Sequence, residues 1–201
     1  MQLLVGTSNN GKFIEIGESL RGLNLELLQP EELRITEDPD ETGTTFVENA
    51  LLKARHYFER GKIPSIADDS GIIVDALQDE LGVQTRRWGA GPDASDQEWI
   101  EYFLDRMSSE RNRSARFICT LAYIDKNGME YLFEGTCNGI ITPTLEAGFL
   151  PGLPISACFR PEGYDRVYSA MSIEEKNAVS HRGKAAAQLK KHLSESLVKH
   201  D

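Results

Sequence analysis

Two long runs of strand-forming residues, 115–125 and 129–141, are separated only by Lys126-Asn127-Gly128. Asn-Gly between such runs signals a hairpin, so the middle of the chain is committed to an antiparallel pair. The elements around it alternate strand with helix. Residues 1–7 form a short apolar run read as a buried strand. Asn9 then precedes a helical pattern with Phe13, Ile16 and Leu20 on one face, and residues 24–28 read as a second strand. Alternation of this kind, broken by a long hairpin, requires an α/β fold with a mixed twisted sheet and flanking helices.

Three capping boxes mark helix starts further along. Thr45 to Glu48 opens a helix expected to bury Ala50, Leu51, Ala54 and Phe58 and to end at Gly61. Ser95 to Glu98 opens a second with Trp99, Phe103 and Met107 inward, and Ser172 to Glu175 a third. Ser180 begins the last helix, over about residues 181–197. Between these, residues 30–44 read as an acidic loop and 82–94 as a glycine-rich loop. Residues 65–68 and 71–77 read as strands split by a turn, and 142–165 as an extended loop. At 201 residues the chain suits a single domain, 1–201, with two lobes around a central cleft.

The formal net charge of −10 argues against a general nucleic-acid binder, which shows a basic face. No run of 18 apolar residues is present, so no membrane span is expected. The apolar stretch at the N-terminus is too short for a signal peptide. Cys119, Cys137 and Cys158 show neither zinc spacing nor an even count. They read as packing residues in a reducing compartment, with the cytoplasm as the expected location. An acidic protein that handles phosphates must supply local cations, as lysine, arginine or metal.

Four segments carry such chemistry. Gly6-Thr7-Ser8-Asn9-Asn10-Gly11-Lys12 follows a strand and opens a helix. Free backbone N–H groups and the positive end of the helix dipole make that turn a phosphate cradle, with Lys12 as a point charge. The spacing fits the start of a P-loop, but Phe13 stands where Ser or Thr must hold magnesium, which excludes that motif. Ala67-Asp68-Asp69-Ser70-Gly71 puts two carboxylates at a strand end. Neighbouring strand residues point to opposite faces, so one reaches a shared site easily while the other braces the turn or stands behind it. Such carboxylates are hard ligands suited to Mg²⁺ that bridges phosphates. Asp40-Glu41 precedes a helix in which Asn49 and Lys53 share a face, turned to a cleft or to solvent. Finally, Lys176, His181, Arg182 and Lys184 fall within nine residues, read as a loop between two helix starts. Arg182 can fork onto a phosphate or a base edge. His56, His192, His200, Glu18, Glu31, Glu32, Asp38 and Asp79 read as surface or packing residues.

Taken in order, these motifs resemble the inosine triphosphate pyrophosphatase family. The matching stretches are residues 7–12 with Glu15, Thr45 to Ala50 with Lys53-Ala54, Ala67 to Gly71, and Ser180 to Gly183. The resemblance runs from Leu3 to about Leu193. It implies a two-lobed homodimeric enzyme that cleaves ITP, dITP or XTP to the monophosphate and pyrophosphate with Mg²⁺. It implies that Thr7, Ser8, Asn9, Asn10, Gly11 and Lys12 hold the triphosphate, and that Glu41 and Asp69 serve the metal. Asp69 is then also the catalytic base, and Lys53, Ser70, Lys176, His181 and Arg182 contact substrate.

One segment departs from the family. After the hairpin the family carries a Gly-Phe-Gly-Tyr-Asp-Pro-like stretch whose aromatic and aspartate recognise the purine. Here the chain reads Gly148-Phe149-Leu150-Pro151-Gly152-Leu153-Pro154-Ile155-Ser156-Ala157. Phe149 is the candidate to stack on a base, with Ser156 as a hydrogen-bonding partner. Arg86-Arg87-Trp88-Gly89 also replaces a Ser-Ala-Arg-Tyr-like run, with Arg87 at or near its arginine. The altered loop leaves two other readings open. One is pyrophosphate release from another or modified base, as in Maf-like enzymes. The other is a nucleotide-binding module without turnover, against which stand Lys12, Glu41 and Asp69.

Overall fold

The computed structural model describes residues 1–198 apart from Asp79, Pro92 and the side chains of Arg86, Arg87, Leu197 and Val198. The expectations placed on Asp79, His200 and the Arg87 side chain lie outside the described residues. Six strands form one mixed sheet in the order β2-β1-β3-β4-β5-β6. They are β1 (Gln2–Val5), β2 (Glu26–Leu28), β3 (Ser65–Val74), β4 (Ser114–Ile124), β5 (Glu130–Ile141) and β6 (Phe159–Pro161). β1 pairs parallel with β2 and β3, and every pairing from β3 to β6 is antiparallel. The β4–β5 hairpin keeps register from Ser114↔Ile140 to Ile124↔Glu130. Its turn is closed by the Asp125 carboxylate, which accepts from the backbone N–H groups of Asn127 and Met129 at 2.8 and 2.9 Å. Gly128 takes φ 81°, the left-handed conformation that favours glycine there.

Five α-helices flank the sheet among the described residues: α1 (Asn10–Ser19), α2 (Phe46–Gly61), α3 (Asp96–Met107), α4 (Ile173–Val179) and α5 (His181–Val198). All three expected capping boxes form, at Thr45, Ser95 and Ser172. α2 covers one face of β3 and β4, where Ala50 and Ala54 pack on Ala67, Ala122 and Ile124. α1 and α5 cover the opposite face, burying Ile16, Ala185 and Leu189 against Leu3, Val5, Ile66 and Leu121. A further core joins Trp99, Phe103 and Met107 of α3 to Ile72, Ile141 and Phe159.

Several local expectations are corrected. Residues 65–74 form one continuous strand, not two split by a turn; Asp69 pairs with Thr120 and Ser70 with Cys119. The acidic pair stays in the ladder because each carboxylate meets its own cations on its own face of the sheet. α2 does end at Gly61, as expected, and Lys62 takes the left-handed cap at φ 56°. Its innermost stripe is Asn49, Ala50, Lys53, Ala54 and Tyr57, with Leu51 and Phe58 half-buried. Residues 142–165 are not wholly irregular: a 3-10 turn (Pro154–Ala157) and β6 lie within them. Lys176 belongs to α4 rather than to a loop. The three cysteines are buried and unpaired, as expected of packing residues.

Candidate active site

The carboxyl end of β1, the middle of β3 and the starts of α1, α4 and α5 converge on a cleft of about 580 Å³, a size ordinary for small-molecule sites. The alternation of β3 organises it. Asp68 points to the face covered by α1 and α5, and Asp69 to the face covered by α2. Asp68 Oδ2 meets Lys12 Nζ at 3.1 Å and Arg182 Nε at 3.3 Å, and accepts from the Ser70 hydroxyl at 3.0 Å. Burial alone pushes its acid up, but Lys12, Arg182 and Lys53 together hold it well below the ordinary carboxylate range. Arg182 also donates to Ser70 Oγ at 3.0 Å and pairs with Glu15. Glu15 pairs in turn with Lys176, which makes Glu15 the hub of a buried ionic cluster.

On the other face of β3, Lys53 Nζ bridges Glu41 Oε1 at 2.6 Å and Asp69 Oδ1 at 2.8 Å. Asn49 Nδ2 donates to Asp69 Oδ2 at 3.3 Å. Burial raises the Asp69 pKa more than Lys53 lowers it. Burial pulls the Lys53 pKa down, but Asp69, Asp68 and Glu41 outweigh it and leave the ammonium firmly charged. The same stripe of α2 ends at Tyr57, whose hydroxyl donates to Asp38 at 2.5 Å; Ser8 donates to the other oxygen of Asp38 at 2.9 Å. Asp38 is therefore part of the cleft wall rather than a free surface charge.

At the start of α1, the Asn9 side chain accepts from the backbone N–H of Lys12 and donates to the carbonyl of Gly152 at 3.1 Å. Gly152 in turn donates its N–H to Asp96 at 2.6 Å. These bonds pin the segment after β5 to the mouth of the anion cradle. Aromatic and apolar side chains complete the lining: Trp99, Phe117, Tyr168, Leu153 and Ile155. His181 stacks on Phe117 with centroids 4.5 Å apart and planes 11° apart. Its pKa lies well below the usual value, because burial and then Arg182 and Lys176 disfavour a second proton. At Gly183 an added Cβ would stand 1.8 Å from the Asn177 carbonyl oxygen, so only glycine lets α5 begin this close to α4.

A protein-family model described as the Ham1 family matches residues 3–192. The chain belongs to the Ham1 family. Among curated Ham1-type relatives, a dITP/XTP pyrophosphatase of Leptospira interrogans serogroup Icterohaemorrhagiae serovar copenhageni (strain Fiocruz L1-130) is 41% identical over 192 residues, covering 96% of both chains. A dITP/XTP pyrophosphatase of Aquifex aeolicus (strain VF5) is 40% identical over 200 residues, covering 94% of this chain and 95% of its own. The solved structure of a HAM1 protein from Coxiella burnetii superposes with a TM-score of 0.82 at 33% identity, covering 97% of this chain and 99% of its own. The Staphylococcus aureus Ham1 protein gives 0.81 at 29% identity, covering 98% and 100%.

Within this Ham1 fold, Thr7, Ser8, Asn9, Lys12, Glu41, Lys53, Asp69, Ser70, Lys176, His181 and Arg182 all line the cleft. Asn10 and Gly11 do not. Asn10 is exposed, and Gly11 is buried beside Leu153, where an added Cβ would meet Leu153 Cδ1 at 2.8 Å. Phe149 is also absent from the wall and packs half-buried on the core around α3. Leu153, Pro154, Ile155 and Ser156 face the cleft in its place. Counted from Gly152 rather than Gly148, the Gly-Phe-Gly-Tyr-Asp-Pro pattern lays Leu153 on its aromatic position and Ser156 on its aspartate. Tyr57, Trp99 and Tyr168 were not singled out for function by sequence, while Glu15 was carried only as part of a matching stretch and Asp68 only as one of the paired carboxylates. Asp68 and Tyr57 were legible in principle, from strand alternation and from the i, i+4, i+8 spacing of Asn49, Lys53 and Tyr57.

Proposed function

We propose that this protein hydrolyses the triphosphates of non-standard purines, ITP, dITP and XTP, to the monophosphate and pyrophosphate. Relatives about 40% identical that are named dITP/XTP pyrophosphatase support the reaction and substrate class. The observation that carries the reading here is the polarity of the cleft. Lys12 and the N-terminus of α1 stand beside the Asp69–Lys53–Glu41 bridge, and the rings of Trp99, Phe117 and Tyr168 line the same cleft. The charged groups suit a triphosphate and the rings a base.

Glu41 and Asp69 already converge on one cation, the Lys53 ammonium. Their donor set of hard oxygens fits Mg²⁺, which takes one or two carboxylates and completes its shell with water and phosphate oxygens. When bound, the metal neutralises charge on the phosphates and polarises the attacked phosphorus. In this reading Asp69 accepts a proton from the attacking water, a role helped by burial, which raises its pKa above the ordinary carboxylate value. Lys53 and Asn49 orient Asp69, and Lys12 steadies the phosphates. Arg182, Ser70, Lys176 and His181 bind substrate. We infer that residues 1–201 act as one two-lobed domain, working as a homodimer in the cytoplasm.

The test is Asp69→Asn assayed with ITP and Mg²⁺. Loss of the base lowers kcat roughly 10²- to 10⁴-fold while the protein stays folded. Full pyrophosphate release by the variant would exclude Asp69 as the base.

A further inference from the structure

Asp38 is exposed and carries no metal or substrate role in the reading above, yet its carboxylate is held on both oxygens. Tyr57, 1% exposed, donates its hydroxyl to Oδ1 at 2.5 Å, and the Ser8 hydroxyl donates to Oδ2 at 2.9 Å. The Tyr57 ring packs so closely on Gly6 that a Cβ added there would stand 2.1 Å from Tyr57 Cδ2. The chain on either side of Asp38 is fastened to the same helix, α2. His56 Nε2 lies 2.8 Å from the Glu37 carbonyl oxygen, and Lys53 pairs with Glu41 at 2.6 Å. A buried tyrosine thus fixes an exposed carboxylate against Ser8 of the anion cradle, and all three residues line the cleft.

A hydroxyl has a single proton to donate, and Ser8 gives its own to Asp38. A phosphate oxygen in the cradle, which can only accept, needs that same proton. We propose that Asp38 competes with phosphate for the Ser8 hydroxyl, and so weakens the cradle's hold on pyrophosphate and helps the product to leave. This rests on the reading of residues 7–12 as a phosphate cradle and names a residue that tunes it. When a phosphate enters, Ser8 turns to it and Asp38 keeps only its bond from Tyr57. When pyrophosphate departs, Asp38 regains Ser8. The exchange trades one charge-assisted hydrogen bond for another, so Ser8 adds little net affinity. Two anions at one donor also repel each other. Tyr57 keeps Asp38 within reach of Ser8 throughout.

The experiment is isothermal titration calorimetry with sodium pyrophosphate on wild type, Asp38→Ala, Ser8→Ala and the double variant. Asp38→Ala should bind pyrophosphate roughly 3- to 10-fold more tightly than wild type, the worth of one hydrogen bond. With Ser8→Ala as background the gain should vanish, because the contested donor is gone. A gain that persists there would show Asp38 acting through its charge alone and overturn the proposal, as would equal or weaker binding by Asp38→Ala. Tyr57→Phe keeps the ring on Gly6 and should show part of the same gain, and none once Asp38 is alanine. Binding of pyrophosphate by neither wild type nor Asp38→Ala would overturn the proposal together with the cradle. Wild type that binds pyrophosphate but cleaves no triphosphate would count against the hydrolase reading, while the calorimetric comparison would still decide the role of Asp38.

Discussion

Replacing Glu15 with glutamine keeps the shape of a buried side chain and removes its charge. Glu15 is 1% exposed and pairs with both Lys176 and Arg182. With Asp68 it supplies the negative charge of a cluster whose cations are Lys12, Lys176 and Arg182. Glu15→Gln leaves three buried or half-buried cations facing one carboxylate. Breaking a buried ion pair from one side costs about 3 to 5 kcal/mol, and the low end applies because Arg182 keeps Asp68. An unfolding entropy of about 2.1 cal/mol/K per residue, summed over a chain of this length, makes about 3 kcal/mol a fall in Tm of roughly 7 °C. Differential scanning calorimetry at pH 7 reads this directly. The pH dependence is a second check. Burial raises the Glu15 pKa, but Arg182 and Lys176 outweigh it, so the folded value lies below the unfolded one. Its contribution is therefore complete above the unfolded pKa of about 4.3 and is lost as pH falls through the folded value. The gap between wild type and variant should be full at pH 7 and shrink below about pH 4. A Tm change under about 2 °C at pH 7, or a gap that widens in acid, would refute the reasoning. Adding Lys176→Met to Glu15→Gln should recover part of the loss, since it removes one of the stranded cations.

Three further outcomes are expected. Gly183→Ala forces a methyl to within 1.8 Å of the Asn177 carbonyl oxygen; overpacking of this kind costs about 1 to 3 kcal/mol, read as a Tm fall of roughly 2–7 °C. His181 is held neutral in the folded chain, so only the unfolded state takes up its proton below about pH 6.5, and stability should fall with decreasing pH by up to about 1.4 kcal/mol per unit from this group. Urea titrations between pH 5 and 8 should show that slope in wild type and not in His181→Gln. Chelation of divalent metal should abolish pyrophosphate release and Mg²⁺ should restore it, with circular dichroism unchanged, because Lys53 already bridges Glu41 and Asp69 without metal.

The fold was legible where local chemistry agrees with the tertiary outcome. The caps at Thr45, Ser95 and Ser172 and the inward stripe of Trp99, Phe103 and Met107 form as their residues dictate. The expected break at Asp69-Ser70 does not exist, because acidic residues look like a turn only until their cations are known. Lys12 and Arg182 come from far along the chain and make a strand tenable there. Likewise the buried face of α2 looked apolar from Leu51 and Phe58. Asn49 and Lys53 displace them inward because Asp69 lies across from them. Phe149 matched a two-residue pattern, yet the turn through Gly152, at φ 79° and anchored to Asn9 and Asp96, is what carries the next four residues to the cleft. Trp99 read as core, and its packing is core.

The most direct test of the account is to incubate the purified protein and Mg²⁺ with ITP, dITP, XTP, ATP and GTP and to separate the products. The account predicts monophosphate and pyrophosphate from ITP, dITP and XTP, with little from ATP or GTP. Release of orthophosphate and the nucleoside diphosphate would contradict it, because the bond broken would then be the terminal one.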